Sequence, residues 1–249
     1  MEIKIVKLNK DNLGLAYSCT KETNLWGSHS HQKSIDFLLK NLDYKIYAYG
    51  ITLDGALAGH VILFDTKQPL SMVESKDGVF LNCIYILESL RNQKFGTMVL
   101  KHIENQIKEE GKKIIFTHSI GENEWMSKNF FIKNGFVEAP TEDDLLKILY
   151  KSFDKEVSFR IISDDKNRVQ TKTNQILIIY NPLCPLENEK FDHLKEIVKK
   201  EFEEVEIEEI HSLDKTLSSG IFFNNIPLLY NKKKDKEILD IIRSLMVKI

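Results

Sequence analysis

Near the start of the chain, Ile3, Ile5 and Leu8 stand among lysines in a near-alternation that predicts a β strand with one wet face. Asp11 or Asn12 is placed to cap a polar, helical stretch running to Leu42, so that a strand leads two helices. Residues 44–64 hold two β-rich runs that meet at Leu53-Asp54-Gly55. Asp-Gly supplies the positive φ angles of a tight turn, so an antiparallel hairpin is expected. Residues 79–87 are almost continuously apolar, the pattern of a strand buried on both faces at a sheet centre. After Gly96, the residues Met98, Val99, Ile103 and Ile107 recur at helical spacing, and Gly111 follows as a stop. Residues 113–118 read as the next strand, and 123–133 as a helix ended by Asn134-Gly135. Residues 136–138 and 145–153 read as two further strands.

The pattern changes at residues 154–173, which are polar and charged apart from Phe159-Arg160-Ile161-Ile162. A linker is expected there, between a first domain at 1–153 and a second at 174–249. In the second, strands are expected at 176–180, 205–210, 221–223 and 228–230. Helices are expected at 187–202 and 235–247, giving the order β-α-β-β-β-α. Both domains fall in the α/β class (α+β). Two cores also suit 249 residues of which 42% are hydrophobic.

Charge narrows the partners. Thirty-five basic against 37 acidic side chains leave a net charge of -2, so no overall field favours nucleic acid or an anionic membrane. The three cysteines, Cys19, Cys83 and Cys184, are far apart and suit neither a disulfide framework nor a metal knuckle. With no apolar run of about eighteen residues, a cytoplasmic location is expected. His29 and His31, near Trp26, form a His-x-His pair without a third ligand nearby, so no metal is expected.

The chemistry concentrates between Asn82 and Thr97, where a buried strand turns into a helix. The first amides of a helix lack partners within it, and the peptide dipoles add partial positive charge, so such a junction can hold a pyrophosphate by main chain. Lys94 adds a full charge. This segment resembles the acetyl-CoA signature of the GNAT (Gcn5-related N-acetyltransferase) family, Gln/Arg-x-x-Gly-x-Gly/Ala, with Arg91 opening it and Gly96 at the second glycine position. Lys94 takes the place of the first glycine. A second segment, Ser127-Lys-Asn-Phe-Phe-Ile-Lys-Asn-Gly-Phe136, is similar to the family's Ala-x-x-Phe-Tyr-x-x-x-Gly-Phe, and the element order agrees over roughly the first 150 residues.

The resemblance implies a mixed, mostly antiparallel, splayed sheet and acetyl-CoA, or another acyl-CoA, as co-substrate. The pantetheine arm would lie along Ile84, Tyr85 and Ile86. The pyrophosphate would lie over Asn92, Gln93, Lys94, Phe95, Gly96 and Thr97, with Arg91 beside it. It further implies direct transfer to a primary amine of a small molecule or peptide. Phe131, however, stands where the family keeps a proton-donating tyrosine, and Ser119 where some relatives keep a basic glutamate. His118, Tyr85 and Glu124 are therefore the catalytic candidates, with Glu122 and Glu88 as further titratable groups. Each also has a plain structural reading.

In the second domain, Asn181-Pro182-Leu183-Cys184-Pro185 between a strand and a helix looks like a reduced thioredoxin-type unit and resembles the YoaP-like C-terminal domain. In such folds a cysteine at the helix start gains thiolate character and a cis proline faces it. Glu187 stands where oxidoreductases of this fold have a second cysteine, so disulfide exchange is not expected. Three readings stay open: an acetyltransferase, a non-catalytic acyl-CoA sensor, and a C-terminal partner-binding module on a degenerate scaffold.

Overall fold

A computed structural model describes residues 2–42, 46–68, 71–119, 125–140, 147–162, 170–211, 219–228 and 233–246, in two units divided at Ile162/Ser163. In the first unit, seven strands make one sheet in the order β1-β2-β3-β5-β6-β8-β7. These are β1 (Ile3–Lys7), β2 (Ile46–Leu53), β3 (Ala56–Asp65), β5 (Gly78–Ile86), β6 (Ile114–Ser119), β7 (Val137–Glu138) and β8 (Lys147–Ser152). Only β5 and β6 run parallel; every other neighbouring pair is antiparallel. The β2–β3 hairpin turns at Asp54 and Gly55, with φ of 49° and 81°, as the Asp-Gly pair predicts.

The continuous apolar run becomes β5, buried from residue 78 to 85 between β3 and β6. On one face of the sheet, Leu81, Ile84, Ile115 and Leu149 share a core with Val99, Ile103 and Ile107 of α3 (Phe95–Glu109) and Phe131 of α4 (Lys128–Lys133). Against β3 lies the N-terminal segment, where the Ser18 N–H donates to His60 Nδ1 at 3.1 Å and the Tyr17 ring meets the His60 ring edge-on.

That N-terminal segment holds the two expected helices but begins and breaks differently. It divides into a 3-10 turn (Leu13–Leu15), α1 (Cys19–Glu22) and α2 (His29–Asn41). Positive φ at Tyr17, Asn24 and Gly27 breaks the helical path, and Ser28 starts α2 by accepting from the His31 N–H. Asn12 spends its side-chain oxygen on the Asn9 N–H at 2.7 Å instead of capping a helix. α4 is shorter than expected because Ser127 caps it, accepting from the Phe130 N–H. Residues 123–124 and 145–146 of the expected elements lie outside the described residues. The stretch read as a linker contains a strand, β9 (Phe159–Ile161), which pairs with β4 (Val73–Ser75).

The second unit has β10 (Gln175–Tyr180), α5 (Pro185–Glu201), β11 (Glu206–His211), β12 (Gly220–Phe223), β13 (Ile226–Pro227) and α6 (Asp235–Leu245). Its sheet order is β11-β10-β12-β13, with β10 and β11 parallel and β12 antiparallel to both its neighbours. Ile176, Ile178 and Phe223 meet Phe191, Leu194 and Val198 of α5 and Ile238 and Ile242 of α6 in its core. The described residues contain no cis peptide bond, so the cis proline expected of a thioredoxin-type unit is not found at Ile226–Pro227. Here the proline closes a hairpin whose turn is made by Asn224 and Asn225, both at positive φ. No helix among the described residues is long and apolar enough to cross a membrane.

Candidate functional site

β5 changes character halfway along. Its pairing with β6 runs from Gly78↔Ile114 to Leu81↔Thr117 and stops, while its pairing with β3 continues to Gly59↔Ile86. The register with β3 shifts between Ile62 and Leu63, so that Asn82 is the extra residue of a β-bulge. A bulge bends its strand and re-aims the backbone, and here it falls where β5 and β6 part. Beyond it, residues 82–86 have no strand partner on the β6 side among the described residues. Two carbonyls past the bulge are taken by side chains. Trp125 Nε1 donates to the Ile84 oxygen at 3.2 Å, and Arg91 Nε to the Ile86 oxygen at 3.1 Å.

Immediately after this edge, a 3-10 turn (Glu88–Leu90) leads to α3. Asn92 and Lys94 both have left-handed backbones, with φ of 63° and 64°. Met98 is the first residue of the helix whose N–H reaches a carbonyl, that of Lys94 at 3.1 Å. The N–H groups of Asn92, Gln93, Lys94, Phe95, Gly96 and Thr97 donate to no carbonyl of the described residues. These six successive amides lead into the positive end of a fifteen-residue helix. Lys94 stands exposed at the cap. Its left-handed backbone, which a glycine adopts freely, costs a side-chain-bearing residue about 1–2 kcal/mol. The turn therefore closes with lysine in place of the first glycine. Gly96 has a different need: a Cβ there would stand 3.2 Å from the Phe130 ring, so it permits α3 and α4 to approach.

The side chains around the open half of β5 form a connected group. The Tyr85 hydroxyl donates to Glu22 Oε2 at 2.6 Å, and the Glu88 N–H donates to Glu22 Oε1 at 2.7 Å. Arg91 Nη2 lies 3.9 Å from Glu22, and its guanidinium sits 5.1 Å from the centre of the Tyr85 ring. Burial, together with the carboxylate that holds its proton, raises the Tyr85 pKa well above the usual phenol value. Behind Tyr85, His60 is buried, and burial pushes its pKa down to about 3, so the ring is neutral. The Ser18 N–H donates to Nδ1, which leaves the proton on Nε2, 3.1 Å from Cys83 Sγ. His118 stacks on Phe80 at 5.9 Å. Burial lowers its pKa to about 4, and its Nδ1 is buried without a hydrogen-bond partner among the described residues.

Residues 15–136 match the family model described as the acetyltransferase (GNAT) family. The N-terminal unit carries a GNAT-family acetyltransferase domain. Solved structures similar to this chain include one from Desulfovibrio desulfuricans assigned to the GNAT family, at 13% identity and a TM-score of 0.50, covering 61% of this chain and 100% of that one. Another is PaiA N-acetyltransferase from Thermoplasma acidophilum in complex with coenzyme A, at 20% identity and a TM-score of 0.45, covering 61% and 99%. A third is the ribosomal-protein-S18-alanine N-acetyltransferase from Escherichia coli, at 18% identity and a TM-score of 0.45, covering 62% and 96%. No curated protein matches the chain.

Within the GNAT domain, Ile84, Tyr85 and Ile86 fall on the open half of β5, and the six amides follow directly. Arg91 turns onto Ile86 and Tyr85. Glu122 and Glu124 lie outside the described residues. Phe131 is fully buried against Phe130 and Phe136, and Ser119 is buried. His29 is exposed, whereas His31 is buried and accepts from the Gly27 N–H at 2.9 Å, so the pair does not present two ligands together. Sequence reasoning missed Glu22, His60 and Trp125. Glu22 lies 63 residues from Tyr85, and only the fold joins them.

Proposed function

We propose that the GNAT domain transfers an acetyl group from acetyl-CoA to a primary amine of a small molecule or peptide. The observation that carries this is the open half of β5 leading straight into six amides, before and at the start of α3, that donate to no carbonyl of the described residues. The edge offers main-chain partners to an amide-bearing arm, and the amides with Lys94 suit a pyrophosphate. Arg91 holds the turn between them by its bond to Ile86. Bound there, acetyl-CoA supplies an activated thioester; the amine nitrogen bonds to the acetyl carbon as the carbon–sulfur bond breaks, and the thiolate takes up a proton.

The residues of the chain constrain how protons move. Tyr85 is poorly suited to be the acid, because burial and the Glu22 carboxylate that holds its proton raise its pKa above the usual phenol value. His118 is neutral at pH 7 and a weak base. Glu22 is the described carboxylate at the open half of β5, with a partly exposed side chain whose two anchoring hydrogen bonds leave lone pairs for an ammonium. We assign it to receive the amine. Positioning at the strand edge supplies the remainder of the rate.

For the second unit we propose a thioredoxin-like, YoaP-like module. The β-α-β-β-β-α order and Cys184 at the N-cap of α5 support this. Glu187 is half-buried and hydrogen-bonded by Ser219 Oγ at 3.0 Å, and desolvation raises its carboxyl pKa. That side chain holds the helix start in place and does no disulfide chemistry.

Thiol release from acetyl-CoA, followed across a panel of amines, tests the transferase. Release that depends on an amine is expected. Heat of CoA binding with no release for any amine would instead make the domain an acyl-CoA binder.

A further inference from the structure

The open half of β5 has an occupant of its own. Backbone carbonyls in a nearly buried strand need a donor, and Ile84 is 7% exposed. Its carbonyl finds one in the indole of Trp125, a donor-only group that offers a single N–H. Trp125 does not lie on a neighbouring strand. It comes from the segment entering α4, reaches back 41 residues in sequence, and packs partly buried against the core shared by α3 and β5. The next residue, Met126, has a left-handed backbone at φ 59°, so the turn that presents the indole is held in a strained conformation. α4 then continues to Phe130, whose ring lies where a Cβ of Gly96 would come within 3.2 Å, at the first turn of α3. One short segment therefore touches both the strand edge and the amide cradle.

We propose that Trp125 is a displaceable cap on the cofactor edge. Its N–H holds the Ile84 carbonyl in the free protein and gives it up to an amide N–H of the pantetheine arm. The inference rests on the reading of β5 as the acyl-CoA edge. One hydrogen bond is exchanged for another, so the cap keeps the parted strands satisfied without zipping them together, and it taxes binding by the bond that must be broken. Arg91 does the same for Ile86, but its guanidinium is also engaged with Tyr85 and Glu22. The indole, a single donor bonded to a single carbonyl, is the simpler group to release.

The chain has two tryptophans, so Trp26→Phe in the full-length protein leaves Trp125 as the sole indole reporter. Trp26 is exposed and outside the proposed cofactor edge. Coenzyme A is titrated into this protein and into the Trp125→Phe variant of the natural chain, with heat and, for the former, indole emission recorded. The expected result is an emission shift that saturates at the calorimetric Kd, together with binding to Trp125→Phe that is tighter by about 3- to 10-fold, the weight of one net hydrogen bond. Heat without an emission change overturns the cap while leaving the cofactor site in place. Equal or weaker binding by Trp125→Phe does so too, and weaker binding would make the indole a wall of the arm's channel. Absence of heat from every protein overturns the cofactor reading and the cap with it.

Discussion

Residues 78–81 and 82–86 belong to one strand, share β3 as a neighbour on one side, and differ on the other. The first four are zipped to β6; the last five are not, and two of their carbonyls are held by side chains from outside the sheet. The boundary is the bulge at Asn82. A β strand that ends its pairing in the middle of a sheet would ordinarily leave unsatisfied groups, and the way those groups are served separates the structural half from the half that can bind. Under the proposed function the zipped half answers for stability and the open half for ligand recognition, so substitutions in the two should separate cleanly.

The sharpest break between them is Phe80→Ala. Phe80 is fully buried in the zipped half, between Phe64 and His118, and its removal should cost about 3–5 kcal/mol in denaturant unfolding. CoA affinity of the folded fraction should not change. Acid comes next. His60 meets the open half through Cys83, and His118 the zipped half through Phe80. Both have pKa values lowered in the fold, to about 3 and about 4, so both bind a proton more readily when unfolded. Stability is thus complete above the unfolded value near 6.5 and falls as pH drops below it, by about 2 kcal/mol for each ring at pH 5. His118→Phe, which keeps the stack, should remove about half of the acid loss seen by unfolding at pH 7 and pH 5.

On the open side, Glu22→Gln keeps the size of the side chain and removes the charge that Tyr85 and Arg91 address. Amine-dependent kcat/KM should fall by about 10-fold or more, on the order of the 1.4 kcal/mol that one charged hydrogen bond contributes, while the calorimetric Kd for CoA holds. The smallest effect is expected at Lys94→Gly. Relief of the left-handed lysine should stabilise the protein by about 1 kcal/mol, and loss of the charge should weaken CoA binding a few-fold, more at low salt than at high.

The two halves also differ in how much of them could be read in the sequence. The zipped half, the hairpin at Asp54-Gly55 and α3 are written in local pattern: an unbroken apolar run, a turn dipeptide and a helical repeat. The open half is visible only through its resemblance to a family signature, because a bulge one residue long leaves no periodic trace. Glu22, Trp125 and His60 reach the site across sequence separations of 41 to 63 residues or from another strand, and no window of sequence contains such a contact. The same holds for β4 and β9, three residues each, whose pairing joins Glu74 to Arg160. The two helices of the N-terminal segment are legible, but their bounds are not, for a related reason. The polar residues suit a helix one by one, but Tyr17, Asn24 and Gly27 take left-handed backbones that shape the segment lying over His60.

Amide hydrogen exchange along β5 and the α3 turn, with and without saturating coenzyme A, bears most directly on the parted strand as the cofactor's seat. Protection should rise by tenfold or more at residue 84 and across residues 92–97 when the cofactor is added, with residues 78–81 already protected and unchanged. Binding heat accompanied by no new protection at those amides, or new protection confined to the zipped half, would contradict the account.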